Sequence, residues 1–566
     1  MTFRQFKKLF KSSGGNSEID PDEIFLDSRN LPDFDVHQFE GRIEKPISKS
    51  VFRSLVIVFA IFVFLFFGKL WNLQINMGQA YETRSANNNL KHNTIFAERG
   101  IIYDRNHIEL AWNELNPGAD FSQRVYSSVS GLAHLLGSVK YPSKDSSGIY
   151  YSEQYQGVGG TEAYFNSSLQ GQNGLKITET DVAGHVQSES TISPPVDGQN
   201  LTLTIDSRVQ SKLYDTIAQV AQDHNFTGGA GVIMDVQTGE VLAITSYPEY
   251  DSNIMTAGTD SSAINSFLSN KNNPFLDRAV SGLYIPGSII KPFIAMGALE
   301  EGIISPTKQI LSTGAISIPN PYDPTKRSYF RDWEAHGWID MRQAISQSSD
   351  EYFYTIGGGY GDQKGLGIAN IEKYVRMFGI GEETGINLFG EATGNIPSPE
   401  WKKATFNGEQ WYLGDTYHSS IGQYGFQVTP IEMVRAIASF ANGGKLVTPT
   451  VTFLGSTVAT TTVQLPFAPD HYQIIRDGMR LSATVGVANG LNMPNLAVVA
   501  KSGTAELGVA KIFVNSLIEG YFPYDNPRYA FIVIMEHGPK GNTVNATYVM
   551  RQVLDWMTVN TSEYTK

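Results

Sequence analysis

From Ser54 to Gly68 the chain reads SLVIVFAIFVFLFFG without a charged residue, and after Lys69 the apolar character resumes through Leu70, Trp71, Leu73 and Ile75. A helix needs ~20 mostly apolar residues to cross a bilayer. Residues 51–75 supply them if Lys69 extends its ammonium to the interface. A single transmembrane anchor is therefore expected there, with everything beyond it folding separately. A buried core helix is the plain alternative. A secretory signal peptide fits poorly, because the run starts well inside the chain and ends in bulky residues instead of a small-residue cleavage site. Arg42, Lys45, Lys49 and Arg53 precede the run, while only Lys69 and Arg84 follow closely. The positive-inside rule then puts residues 1–50 in the cytoplasm and the rest outside.

The 566 residues exceed what one hydrophobic core supports, so at least two folded units are expected after the anchor. A formal net charge of -13 argues against a nucleic-acid partner, which needs a basic face. With no cysteine, disulfides, thiolate nucleophiles and Cys-ligated zinc are excluded. The ten histidines show no HExxH-type spacing.

Residues 76–226 mix short apolar runs with Gly, Asn and Ser, including the turn-rich YPSKDSSG, and read as a small, mostly β unit. LTLTIDSRVQ alternates as a strand through Ile205, after which Asp206 and Ser207 can cap a helix over residues 208–223. GAGVIMDVQTGEVLAITSYP then predicts a hairpin turning at Gln237–Gly239, the start of a second unit over residues 227–566. A helix over residues 290–301 and a strand pair near residues 496–505 and 529–536 complete an α/β multidomain pattern.

Ser288 lies in PGSIIKPF, at the start of an apolar helical stretch. Lys291, three residues on, falls on the same face and within reach of its hydroxyl. A serine needs an adjacent base, and a lysine serves only if burial or a second cation lowers its proton affinity. Alone the pattern is weak: SPTK at Ser305–Lys308 repeats it in what reads as a loop. Two later elements strengthen it. Ser348, Ser349 and Asp350 precede an aromatic helical stretch, and NLAVVAKSGTAEL carries Lys501, Ser502, Gly503 and Thr504 after an apolar run. Lys501 supplies the second cation, and Gly503 leaves room for a substrate backbone. A helix cap and a strand-ending turn are the plain alternatives for these two elements.

The order Ser-x-x-Lys, Ser-x-Asp, Lys-Ser-Gly-Thr resembles the active-site set of penicillin-binding proteins and serine β-lactamases. The chain is similar to class B penicillin-binding proteins over nearly all of its length beyond the anchor. LWNLQI, AERGIIYDRN, GTEAYFNSSLQGQNG and LTLTIDSRVQ resemble that family's membrane-proximal pedestal boxes. FGIGEETGINL, IGQYGFQVTP and NSLIEGYFPYDNPRYAF resemble landmarks of its catalytic part. The resemblance implies a transpeptidase fold of the serine β-lactamase type over residues 227–566, carried on a pedestal over residues 76–226.

It also implies roles. Ser288 would be the nucleophile and Lys291 its base, with Ser348 and Lys501 relaying a proton to the leaving amine. The backbone N–H groups of Ser288 and Thr504 would form the oxyanion hole, each worth about 3 kcal/mol. Ser349, Ser502 and Gly503 would line the substrate, and the strand around Lys501 would pair with a peptidoglycan stem peptide. β-Lactams would be inhibitors, and neither a metal nor an organic cofactor would be needed. Asp350, where many relatives have Asn, is implied to be commoner in elongation-type enzymes, whose partner is a glycan polymerase of the SEDS family. Between LAWNELN and Phe121 relatives usually carry a longer insertion, so a reduced pedestal is expected. The rival classes are a β-lactamase or carboxypeptidase using the same serine, and a catalytically silent scaffold.

Overall fold

The computed structural model describes residues 49–72, 75, 90–180, 186–453, 462–508 and 510–566. The chain divides into two compact units, Met1–Tyr81 and Glu82–Lys566. In the first, Lys49–Trp71 forms one helix, α1, with no acidic residue in its first turn and Lys69 in its last. The apolar side chains along it are exposed. Among the described residues no helix is long and apolar enough to cross a membrane. The cytoplasmic segment expected over residues 1–50 lies outside the described residues except at its last two positions.

The second unit opens with β1 (Leu90–Ile95), β2 (Ile102–Tyr103), β3 (Glu109–Glu114), β4 (Gln123–Tyr126), β5 (Gly174–Thr180), β6 (Val186–Ser193) and β7 (Leu201–Thr202). They form a three-stranded sheet, β1-β5-β6, and a four-stranded one, β7-β2-β3-β4. β3 and β4 pair directly, Glu114 opposite Gln123, and residues 115–122 close the hairpin.

The charged letters of two pedestal boxes meet inside this region. Arg99 Nε donates to Glu162 Oε2 at 2.6 Å and Arg124 Nε to Glu162 Oε1 at 2.8 Å, with all three side chains fully buried. A buried carboxylate is tolerated when both of its oxygens are paired. Asp104 accepts from the backbone of Asn106 and Ile108 and from the Ser207 hydroxyl. That last bond ties the pedestal to α2 (Ser207–Asp223). Asp206 caps this helix by accepting from Arg208 N, while Ser207 is its first helical residue.

β8 (Gly228–Asp235) and β9 (Val241–Tyr247) form the expected hairpin. Its turn is held by Asp235, which accepts from Gln237 N and Thr238 N, and by Gly239 at φ +77°. The chain then passes through the 3-10 turn Gly287–Ile290 into α3 (Lys291–Glu300), α4 (Met341–Gln347), α5 (Asp350–Gly358), α6 (Pro430–Ala441) and α7 (Pro469–Thr484). It returns as β10 (Val499–Leu507), β11 (Phe513–Phe522), β12 (Tyr529–Pro539) and α8 (Ala546–Asn560).

Strands β8 to β12 build one antiparallel sheet in the order β9-β8-β12-β11-β10. Helices α2 and α8 cover one face, and α3, α6 and α7 the other. One expectation is corrected here, and one plain alternative is excluded. The late strand pair is not a pair, because β11 lies between β10 and β12. The Lys-Ser-Gly-Thr element does not end a strand, since β10 runs through it to Leu507 at the edge of the sheet.

Candidate active site

Ser288 sits half-buried in the 3-10 turn just before α3, not on the α-helix itself. Pro292, at the first turn of α3, fits because its missing N–H would have no helical partner there. Gly287 holds φ +55°, and a Cβ on it would lie 3.2 Å from Thr504 O. Gly422 of IGQYG donates no side chain but a close approach: a Cβ there would meet Gly287 O at 2.3 Å, and Gly422 O accepts from Gly287 N. The sequence marked this motif only as a landmark. Its glycines were the available signal, and its place is against the Ser288 turn.

Ser348 joins α4 to α5 in a left-handed conformation, φ +57°. The kink turns its carbonyl and hydroxyl toward two lysines. Lys291 Nζ donates to Ser348 O at 2.6 Å and to Asp350 Oδ1 at 2.6 Å, and lies 3.3 Å from Ser348 Oγ. Lys501 Nζ donates to Ser348 Oγ and to Ser502 O, each at 2.8 Å. Both lysine side chains are fully buried. Ser348, Lys291, Asp350 and Lys501, distant in sequence, thus meet around one hydroxyl, and Ser288 stands one turn from Lys291. No hydrogen bond joins Lys291 to the Ser288 hydroxyl among the described residues: its ammonium engages Ser348 and Asp350.

Burial holds the Lys501 ammonium well below its usual proton affinity, and the Lys291 charge pushes the same way, while Asp350 and Glu519 oppose. Lys501 is thus driven toward its neutral form. Lys291 instead has the Asp350 carboxylate as its ion-pair partner.

Two residues expected at the substrate have other tasks. Ser349 is fully buried; its hydroxyl donates to Asp332 at 2.6 Å and accepts from Tyr352 N as the cap of α5. Gly503 is small because the Ser288 turn needs the room: a Cβ there would lie 3.0 Å from both Pro286 O and Ile289 Cγ2. Strand alternation puts Lys501 and Gly503 on one face of β10 and Ser502 and Thr504 on the other. Thr504 is exposed, and Ser502 half-buried. Among the described residues no cluster of His, Asp and Glu is arranged to hold a metal ion.

Residues 229–555 match the penicillin binding protein transpeptidase domain, and residues 117–203 the penicillin-binding protein dimerisation domain. The chain is 29% identical to the peptidoglycan D,D-transpeptidase MrdA of Salmonella typhimurium over 89% of this chain and 94% of that one. Among solved structures it resembles Pseudomonas aeruginosa PBP2 in complex with WCK 5153, at 28% identity and TM-score 0.70, covering 84% of this chain and 98% of that one. It also resembles a chain of a peptidoglycan synthase complex that coordinates polymerization and crosslinking, at 25% identity and TM-score 0.70, covering 90% and 98%. With its transpeptidase match extending over more than half of its length, the chain belongs to the penicillin-binding proteins, as a class B member of the elongation type.

Proposed function

We propose that this protein cross-links peptidoglycan stem peptides through an acyl-enzyme on Ser288. The observation that carries this reading is the convergence of Lys291 and Lys501 on the Ser348 hydroxyl beside the Ser288 turn. Ser288 Oγ attacks the carbonyl of the penultimate D-Ala and gives its proton to Lys291. Lys291 is free to take it because its ammonium first passes a proton through Ser348 Oγ to Lys501, whose neutral form is the acceptor. The oxyanion forms against the N–H groups of Ser288 and Thr504, which backbone contact between the turn and β10 keeps close together. Collapse breaks the peptide bond, and the departing D-Ala amine recovers the proton through Ser348. An acceptor amine from a neighbouring strand then attacks the ester, loses its proton by the same route and regenerates Ser288. The free edge of β10 takes the stem peptide as an added strand, with the exposed Thr504 and half-buried Ser502 beside it.

Labelling with a fluorescent penicillin tests this. Wild type should label, and Ser288→Ala should not; no label on the wild type would favour a silent scaffold.

The wider setting belongs to the same proposal. Residues 51–75 anchor the chain by a single span with residues 1–50 inside, 76–226 form a reduced pedestal, and 227–566 form the transpeptidase domain outside the membrane. Asp350, the MrdA relative and the synthase-complex relative together support a role in cell elongation beside a SEDS-family polymerase. Protease added outside spheroplasts should shed a soluble C-terminal fragment, and protection of that fragment would reverse the topology. The reduced pedestal loses the partner contacts that the longer lobe makes in relatives; polymerase co-purification through the pedestal as tight as that of a full-lobed relative would refute that loss.

A further inference from the structure

Behind the two lysines lies a group that the reaction above does not use. Glu519 is fully buried in β11, and neither of its carboxyl oxygens has a hydrogen-bond partner among the described residues. Buried carboxyls are nearly always paired, and leaving one unpaired costs several kcal/mol. A leucine of similar size in a strand this apolar would avoid that cost.

Its position gives the reason. Glu519 is the direct register partner of Lys501 on the neighbouring strand, and directly opposed side chains share a face with Cβ atoms ~5 Å apart. The face is the one toward α3, α6 and α7, since Leu517 and Tyr521, two residues to either side, belong to the core on that face. On β12 the residue opposite is Ile532. The titratable side chains of α6 and α7 are engaged elsewhere: Glu432 with the backbone of Gly381, Gly394 and Thr429, Arg435 with Val447 O, Arg476 with the Tyr521 hydroxyl and Tyr524 O, Arg480 with Val498 O, Asp477 with Arg342, and His471 with Glu300. From the 3-10 turn comes only Ser288, and the Arg551–Asp555 pair of α8 belongs to the helix on the opposite face. Beyond Lys501 stand Lys291 and Asp350. Burial pushes the Glu519 carboxyl well above the usual carboxylate range; the Lys501 charge opposes that shift, and Glu519 in turn opposes the loss of the Lys501 proton.

We propose that Glu519 is a positioning residue for acylation, its carboxyl setting from behind the charge that Lys501 carries when Lys501 exchanges a proton with Ser348. It touches neither substrate nor Ser348 and acts only through Lys501. The proposal rests on the functional reading above, in which neutral Lys501 accepts the proton. Negative charge beside Lys501 favours its protonated form, so removing the carboxyl makes Lys501 neutral at lower pH.

The test measures the second-order rate of acylation by a fluorescent penicillin against pH, on the full-length protein in detergent. Glu519→Gln and Glu519→Leu should both move the acid limb to lower pH by about one unit, the low end for losing an opposite charge nearby. Glu519→Asp should keep the wild-type limb. A Gln profile superimposed on wild type, or moved upward, overturns the proposal, as does a shift seen with Leu alone, which would reflect packing. A second readout does not need activity. In a double-mutant cycle of melting temperatures, Glu519→Gln and Lys501→Met should be non-additive by several degrees; a cycle that closes to zero overturns the coupling. A wild type that never labels would refute the functional reading and leave this cycle to decide the role of Glu519.

Discussion

Lys501 Nζ stands 2.8 Å from the hydroxyl oxygen of Ser348, a residue whose backbone is held left-handed at φ +57°. A non-glycine residue held there costs about 1–2 kcal/mol, which a glycine avoids. The strain buys the meeting of two lysines at one oxygen. Ser348→Gly should therefore melt higher than Ser348→Ala, by an amount corresponding to about 1 kcal/mol. Both should lose acylation by about 10²–10⁴-fold, the usual effect of removing a proton-transfer group. Melting curves and penicillin labelling rates check the two halves separately; equal melting temperatures for the two variants would contradict the strain.

Asp350 accepts from Lys291 at 2.6 Å, and its side chain is partly exposed while that of Lys291 is fully buried. An asparagine can accept the same hydrogen bond, whereas an alanine leaves a buried ammonium short of a partner. Asp350→Asn should keep labelling within about tenfold of wild type, and Asp350→Ala should fall about a hundredfold. Complete loss of acylation in Asp350→Asn would show that the charge itself is required.

The contrast between these residues and their neighbours shows what the sequence could carry. Ser288, Lys291, Ser348, Asp350 and Lys501 were legible because three short patterns in fixed order constrain one another, although each is common alone. The partner of each lysine was not legible. Those bonds are set by which helix end faces which strand, a long-range fact that no local spacing records. The hairpin of β8 and β9 was readable from its alternating apolar runs and turn residues. β11 was not, because Asn515, Ser516, Glu519 and Gly520 interrupt its apolar pattern. Its place between β10 and β12 follows from pairing across the sheet and not from chain order. Gly503 and Ser349 were assigned to substrate because the patterns mark them as part of the site. Packing shows that Gly503 admits the Ser288 turn, and that Ser349 caps α5, the plain alternative its element already offered.

Glu249 gives a pH dependence to the contact between the pedestal and the catalytic part. Its two oxygens accept from Gly131 N and Ala133 N, yet burial pushes its carboxyl up to about 7. A carboxyl with a raised folded-state value binds a proton more tightly folded than unfolded, so stability falls as pH rises from about 4.5 to 7 and levels off above. Urea midpoints of the wild type should decline across that window by up to ~3 kcal/mol of stability. Glu249→Gln should remove this part of the slope. An identical slope in the variant would place the titration elsewhere.

The fate of the acyl-enzyme separates a transpeptidase from a β-lactamase, because only the latter must activate water against the ester. In class A β-lactamases a glutamate between the second and third motifs does this. The glutamates of this chain in that interval are otherwise employed: Glu351 accepts from the Ser312 hydroxyl and from Thr313 N and Gly314 N, and Glu372 from Arg376 Nε. Glu432 closes a capping box with Thr429 and accepts from the backbone of Gly381 and Gly394. Glu391 accepts from Thr384 and Gly385, and Glu409 from the Tyr322 hydroxyl. Glu400 lies in the first turn of a short helix over Pro399–Thr405, where its charge suits the helix N-terminus. Glu382 and Glu383 sit in a turn held by Gly381 and Gly385 at positive φ. Close to the ester the ionisable side chains are instead Lys291, Asp350 and Lys501, and Lys291 already binds Asp350. Penicillin should thus acylate Ser288 and remain attached far longer than one turnover, so that the drug inhibits and is not consumed. Mass spectrometry of the full-length protein should find a persistent adduct on the peptide that contains Ser288. Rapid decay of the adduct with repeated hydrolysis of drug would assign the serine to a β-lactamase instead.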